Sequence, residues 1–551
     1  MTQAGFIHAS ASAFIAVLAL VAPWLLPPQG GPSPSVLPWL LAMGCTGVLA
    51  GVLPRSCSRG LLSLWLLAGG LAVLICSNSQ SREPLGAASA ILLMATCAAL
   101  AARGRAATEG PTAYGLALAW LVASLVSSMI GLCQYFGLAQ HFASWMSPSP
   151  AVGEAFANLR QRNQFATLTN IGLAALLWWA AQSRGRQLHV LGRAGLLAAA
   201  VLLATGNAAS SSRTGLVQLL LLGGLVWLWD GMRWPATRRL VLMAIAAYVI
   251  ATVALPALLG LNPFDHGMWG RLRTGDSACG SRITLWRNVL HLISQHPWLG
   301  WGWGELDYAH FITAYDGPRH CEMLDNAHNL PLHLAVELGL PLALLICGAA
   351  AWLIWRARPW REMEPTRQMA WMVLAVILLH SMLEYPLWYG PFQMAFGLSL
   401  GLLWRARQPS APDVSGTVGL GKGRYMLAAA LLGSTAYAAW DYHRISQIYL
   451  PPEQRSPAYR DNTLEKIRGS WLFREQVRFA EFTLTPLTRD NAGQLNAMAH
   501  ELLHFSSEAR VVEKLIESAL LQGHEAEARF FMARYRAAYP QEYARWAKTQ
   551  A

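Results

Sequence analysis

The sequence predicts an all-α polytopic membrane protein with about 13 transmembrane helices, a large outer loop and a C-terminal soluble α-helical domain. Three observations carry that reading. Only 13% of the 551 residues are charged and 54% are hydrophobic, whereas an ordinary soluble protein carries about 25% charge. Apolar runs long enough to cross a bilayer core of roughly 30 Å recur until the tail. Basic residues gather in alternate connections between those runs, as they do when every second connection faces the cytoplasm.

The runs fall at 9–27, 36–54, 60–76, 86–102, 113–137, 163–182, 187–205, 214–230, 240–260, 327–355, 368–385, 388–404 and 425–441. The first follows an almost uncharged tip, MTQAGFIH, with neither a basic start nor a small-residue cleavage site. It reads as an uncleaved helix rather than a signal peptide. With a cytoplasmic N-terminus, the even-numbered connections should hold the Lys and Arg. They hold Arg55, Arg59, Arg103, Arg105, Arg184, Arg186, Arg193, Arg233, Arg238, Arg239, Arg356, Arg358, Arg361, Arg367, Arg405, Arg407, Lys422 and Arg424. The short odd-numbered connections hold Arg82, Arg160, Arg162 and Arg213. The net charge of +12 is therefore mostly a topology signal, and it gives no reason to expect a nucleic-acid partner. The odd connections and the tail fall on the extracytoplasmic side.

Four parts follow: helices one to nine over 1–260, a large outer loop over 261–326, helices ten to thirteen over 327–441, and a polar tail over 442–551. In the loop, SRITLWRNVLHLISQHP reads as one amphipathic helix. Ile283, Trp286, Leu290 and Ile293 share a face, and Arg282, Arg287 and His291 lie elsewhere. Such a helix suits the membrane surface. In the tail, AGQLNAMAHELLHFSSEARVVEKLIESALL and its successor have helical spacing. They look like paired tetratricopeptide-type hairpins, without a clear 34-residue period. Cys45, Cys76, Cys97, Cys133 and Cys347 lie in apolar runs and read as small core residues. Cys57 lies on a cytoplasmic connection. Cys279 and Cys321 share the outer loop, where an oxidising compartment favours a disulfide.

The informative residues are polar groups beside the spans, because a charge near hydrocarbon is paired, functional or interfacial. RQRNQFA places Arg160, Arg162, Asn163 and Gln164 at the mouth of span six, and Arg213 opens span eight in SSSRTG. His328 and Asn329 open span ten after Asp325. Two pairs are spaced by four, His333 with Glu337 and His380 with Glu384. Either pair reads first as structural, and each arginine also suits a helix-end anchor at lipid phosphates. Yet arginines bind phosphate by a rigid fork, and a neutral imidazole takes a proton near neutral pH. Together they point to a lipid-linked phosphate or diphosphate at the outer leaflet. The histidines from His291 to His333 fit no zinc spacing, so no metal or other cofactor is expected.

SSSRTG, SRITLWRNVLHLISQHPWLGWGWGELDY and DNAHNLPLHLAVELGLP resemble the core of the bacterial O-antigen ligase and polymerase superfamily. LRQRNQFATL, HSMLEYPLWYGPF and the helical tail make the chain similar to the PglL-type protein O-oligosaccharyltransferases, or pilin glycosylases. The resemblance covers roughly 155–551, and the first five spans match only in being hydrophobic. It implies a metal-independent GT-C-like bundle in the bacterial inner membrane, with its active site and tail periplasmic. It implies an inverting transfer of a preassembled glycan from undecaprenyl diphosphate to an acceptor hydroxyl. In that pattern Arg213 and Arg282 are donor diphosphate ligands and His328 is the catalytic residue. Arg162, Asn163 and Gln164 match the polar entry helix, with Arg160, Asn329, His380 and Glu384 in support. The expected acceptor is Ser or Thr of pilin-like exported proteins. Lipid A-core (a ligase) and a growing O-antigen chain (a polymerase) stay open. So does a lipid-linked glycan transporter, although the long loop, His328 and the lack of an internal repeat argue against it.

Overall fold

The computed structural model describes residues 3–27, 32–33, 35–53, 59–77, 84–103, 111–142, 144–149, 151–182, 190–230, 235–275, 279–404 and 420–550. Arg55, Cys57, Arg82, Arg105, Arg184, Arg186, Arg233, Arg405 and Arg407 lie outside them. The described residues form helices and no strand. Each apolar run of the sequence becomes helix, because a backbone in an apolar surrounding must satisfy its N–H and C=O groups internally.

The first half holds α1 (Gln3–Leu25), α2 (Val36–Val52), α3 (Arg59–Ser77), α4 (Pro84–Arg103) and α5 (Pro111–Tyr135). It continues with α6 (Arg162–Gln182), α7 (Val190–Ala209), α8 (Arg213–Asp230) and α9 (Pro235–Leu258). The outer loop carries α10 (Gly267–Thr274), α11 (Arg282–Gln295) and α12 (Leu306–Ile312). Then come α13 (Leu330–Leu338), α14 (Leu340–Ala357), α15 (Pro365–Ser381), α16 (Gly390–Leu403) and α17 (Leu420–Ser446). The tail holds α18 (Thr463–Ile467), α19 (Arg474–Leu484), α20 (Ala492–Leu503), α21 (Ala509–Leu521), α22 (Glu525–Ala538) and α23 (Pro540–Gln550).

Segments Thr112–Tyr135, Val190–Ala209, Ala236–Leu258 and Leu340–Arg361 are long and apolar enough to cross a membrane by length and composition. Ala11–Leu25, Val36–Val52, Trp65–Ser77, Gly86–Ala102, Arg213–Trp229 and Gly390–Leu403 are shorter apolar helices. The central element is α6, whose residues from Gln164 to Trp178 are all buried among α5, α7, α8 and α15. Buried polar side chains thread it, so its interior can carry a hydrogen-bond network instead of meeting lipid.

Among the described residues, several contacts join connections of like parity. At one end Asn158 donates to the Leu25 carbonyl at 2.6 Å, Tyr442 to the Ser33 carbonyl at 2.7 Å and Asn163 to Glu384 at 3.2 Å. All are odd-numbered connections or their edges. At the other end Trp229 donates to the Pro359 carbonyl at 2.6 Å and Arg367 to the Leu403 carbonyl at 2.8 Å.

Two expectations are corrected. The run at 327–355 is not one helix, because Gly339 sits at φ 82° and ends α13 before α14 begins. A Cβ at Gly339 would meet the Trp298 carbonyl oxygen at 2.2 Å, and one at Gly300 would meet the Glu337 carbonyl carbon at 2.4 Å. The loop backbone passes so close to the joint that only glycine fits. The face expected on α11 is also split. Leu285, Val289, Leu292 and Ile293 are buried, whereas Ile283 and Leu290 are 64% and 54% exposed. The helix packs on α12 and α13, so the loop's own core chooses the buried face.

Cys279 and Cys321 are joined by a disulfide with Cα atoms 5.3 Å apart. The bridge closes residues 279–321, the stretch that carries Arg282. The tail attaches at two places. Buried Asp441 of α17 accepts from Ser470 Oγ at 2.9 Å and from the Trp471 and Leu472 N–H groups at 3.2 and 3.1 Å. At the far side, Phe311 of α12 enters the core formed by Phe482, Leu502, Leu515, Phe531 and Tyr535. There Glu305 meets His504 Nδ1 at 2.6 Å, and Asp307 accepts from the Ser507 N–H at 3.3 Å. Burial pushes the Asp307 carboxyl up to about 7, against the N–H groups of Tyr308 and Ser507. The Glu305 hydrogen bond raises His504.

Candidate active site

The arginines of RQRNQFA are absorbed by local chemistry. Gln161 Oε1 accepts from the Gln164 N–H at 2.6 Å and caps α6, satisfying a donor the helix start leaves free. Arg162 pairs with Glu154 at 3.1 Å, and Arg160 is exposed in a left-handed turn at φ 58°. Gln164 is buried. Asn163 is the residue of this stretch that reaches Glu384. Its Nδ2 donates to Glu384 Oε1 at 3.2 Å, and its Oδ1 accepts from Ser212 Oγ at 2.6 Å.

SSSRTG works in the same way. Ser212 Oγ accepts from the Gly215 N–H at 3.0 Å and caps α8, the usual role of serine at that position. A Cβ at Gly215 would lie 2.3 Å from Asn207 Oδ1 and 2.5 Å from Ala166 Cβ. Glycine lets α8 press against α6 and α7, which fixes the height of Arg213, its first residue and half-buried. In the loop, Ser281 caps α11, and Arg282 begins it.

Glu384 is where these elements meet. One carboxylate oxygen binds Arg282 and Asn163, and the other lies 2.8 Å from His328 Nδ1. The carboxylate is 10% exposed, which strengthens its charge-assisted bonds. His328 adopts φ 50°, a strained region for a non-glycine residue. Its N–H donates to Asn326 Oδ1 at 2.8 Å. Asn329 holds it from the other side, capping α13 through the Leu332 N–H at 3.1 Å and donating to the Met382 carbonyl at 3.1 Å. The geometry leaves Nε2 as the imidazole nitrogen not held by Glu384.

His380 does not join this group. Its Nδ1 lies 2.9 Å from Thr167 Oγ1, inside the bundle, where Gln218 Nε2 donates to Thr167 at 2.9 Å and to the Val376 carbonyl at 2.8 Å. His333 and Glu337 are also apart from the centre. They are buried, 3.7 Å from each other, with Glu337 accepting from the Gly304 N–H at 2.7 Å. The structure therefore brings Arg282, His328, Asn163 and Glu384 into contact and ties in Arg213 through Ser212. Arg160 and Arg162 stay at the rim. Ser212, Thr167 and Gln218 were not foreseen. For Glu384 a signal existed: Pro386 two residues on argues that the helix ends before it, so its side chain can leave the helix face.

A guanidinium can bind a phosphate by a rigid fork, and an imidazole held by a carboxylate can take a proton from a hydroxyl. Three family models match separate stretches of the chain. Residues 155–180 match "Protein glycosylation ligase", 197–347 match "O-Antigen ligase", and 368–551 match "Virulence factor membrane-bound polymerase, C-terminal". The chain is 26% identical over 302 residues to a general O-oligosaccharyltransferase of Acinetobacter baylyi, covering 53% of this chain and 50% of that protein. It is 24% identical over 291 residues to a ComP-specific O-oligosaccharyltransferase of the same organism, covering 52% and 50%. The chain spans about half the length of these curated relatives. The matches support the resemblance to a PglL-type protein O-oligosaccharyltransferase.

Proposed function

We propose that the protein is a glycosyltransferase of the inner membrane, crossing it thirteen times. It moves a preassembled glycan from undecaprenyl diphosphate to Ser or Thr hydroxyls of exported, pilin-like proteins on the periplasmic face. The observation that carries this reading is the sharing of Glu384 between Arg282 and His328. Glu384 fixes Nδ1 and supports the imidazolium that forms, as a carboxylate does for a catalytic histidine. Nε2 takes the acceptor's proton while the acceptor oxygen attacks the anomeric carbon. The bond from that carbon to the diphosphate oxygen breaks, and the sugar inverts. Arg213 and Arg282 carry the charge growing on the departing undecaprenyl diphosphate, commonly the largest catalytic effect. The protein glycosylation ligase model over 155–180 favours a protein acceptor. The polymerase model over 368–551 favours a second reading, in which a growing glycan accepts.

The test is transfer from purified glycan-bearing undecaprenyl diphosphate to a purified pilin-like protein, followed by intact mass. The expected outcome is a glycan mass on Ser or Thr. His328→Ala should slow transfer by about 10²–10⁴-fold, the usual contribution of a general base. Glycan-chain extension without protein modification would support the polymerase. A fully active His328→Ala would sink the assignment of the site.

A further inference from the structure

We propose that Tyr385, Trp388 and Tyr389, with Trp303 of the outer loop, form a sugar-stacking wall that receives the pyranose ring about to be transferred. This rests on the oligosaccharyltransferase reading and adds to it a subsite for the donor's first sugar. The segment EYPLWYG joins α15 to α16 through a single short turn at Pro386–Trp388. Three aromatic rings are thereby held within five residues of chain, directly beyond Glu384.

Their arrangement is ordered. Tyr385 lies edge-on to the His328 ring, with centroids 5.0 Å apart and planes at 82°. Tyr385 and Tyr389 are stacked at 6.2 Å. Trp388 and Trp303 are near-parallel at 8°, with centroids 6.3 Å apart. Tryptophan and tyrosine at the end of a membrane helix ordinarily face the lipid interface. Trp298 and Trp145 are 74% and 72% exposed. The four rings of the wall are only half-exposed and contact His328, His333 and one another.

The chemistry selects the occupant. An aromatic face is electron-rich, and a pyranose offers a flat patch of weakly positive C–H bonds beside outward hydroxyls. Asp325, an exposed carboxylate, is close enough for its charge to act on Tyr385, Tyr389 and His328. It supplies an acceptor for those hydroxyls. The sugar must also bring its anomeric carbon within roughly 3–3.5 Å of an oxygen that His328 can reach. A ring meeting that demand, with its diphosphate on Arg282, adjoins Tyr385. A sugar belonging to the acceptor would have the same chemistry, so the two sources must be separated.

The experiment compares two probes, undecaprenyl diphosphate with and without its glycan, against purified Trp388→Leu, Tyr385→Leu and the conservative Trp388→Phe. Binding and transfer are both measured, and thermal unfolding checks folding. The wall predicts that each leucine variant loses about 3- to 10-fold in affinity for the glycan-bearing lipid, the scale of one aromatic contact. Binding of the bare lipid diphosphate should not change, and Trp388→Phe should keep most of the affinity. Equal losses for both lipids, or none, overturn the wall. So does a rise in KM for the acceptor with donor affinity intact, which assigns the rings to the acceptor. If the wild-type protein transfers nothing and does not distinguish the two lipids, the underlying reading fails. Normal wild-type transfer with unaffected leucine variants removes the wall alone.

Discussion

Beside the apolar runs lie two histidine–glutamate pairs spaced by four, and they behave differently. His333 and Glu337 lie within α13, buried and 3.7 Å apart. His380 and Glu384 straddle the end of α15, which stops at Ser381. His380 turns into the bundle toward Thr167, while Glu384 leaves the helix for Arg282 and His328. Equal spacing gives a paired couple only where the helix continues through both residues. Where it ends between them, the second residue is free to serve another part of the molecule.

The strongest way to break this contrast is to neutralise each acid. Glu384→Gln should reduce transfer by about 10²–10⁴-fold, since the imidazole loses its orienting charge, while the protein still accumulates. Glu337→Gln should leave transfer within a few-fold and show its effect in thermal unfolding. Similar kinetics for both variants would erase the distinction. Arg282→Lys comes next. It keeps the charge and loses the fork, so transfer should fall roughly 10²-fold, the lower end of what one lost charge-stabilising donor removes. A lysine variant with near-normal turnover would make Arg282 a simple helix anchor.

Thr167→Val sharpens the inward half of the comparison. It strips the buried His380 of its Thr167 hydrogen bond, which should destabilise the fold by about 1–3 kcal/mol. Turnover per folded molecule should stay near wild type, measured by transfer normalised to folded protein. A selective loss of turnover would bring His380 into the chemistry.

The smallest effect concerns the junction between loop and tail. Asp307 is raised to about 7 and His504 is raised as well, so both hold more protons docked than free. Docking therefore weakens as pH rises. For Asp307 the loss runs from its free value of about 3.9 to about 7. The His504 contribution is whole below about 6.5 and fades as pH passes through its raised value. Protease cleavage at the junction should quicken from about pH 6 to 8, and Asp307→Asn with His504→Gln should flatten that dependence. An unchanged slope in the double variant would refute the assignment.

Much of this was legible in the sequence for identifiable reasons. Apolar runs mark helices because backbone satisfaction in an apolar setting allows little else. Arg213 and His328 stood out because charges beside such runs need a purpose, whereas Arg282 was marked only by the resemblance of its stretch to a known superfamily. The break at Gly339 did not, since the run stays apolar across it and the cause is Gly300 approaching from another part of the chain. The buried face of α11 was misjudged because its partners, α12 and α13, are tertiary neighbours. Glu384 appeared as half of a local pair, and only the fold brings Arg282 to it from 102 residues away.

Phe311 belongs to the outer loop but completes a core made by residues from Phe479 to Trp546. Its cover lies far along the chain from the loop, so it leaves the ribosome later. A growing chain that already holds Arg213, Arg282, His328 and Glu384 still carries the loop without that support. The tail is thus a timer as well as a domain: the loop that presents Arg282 gains this packing only after residues 479–546 have been made.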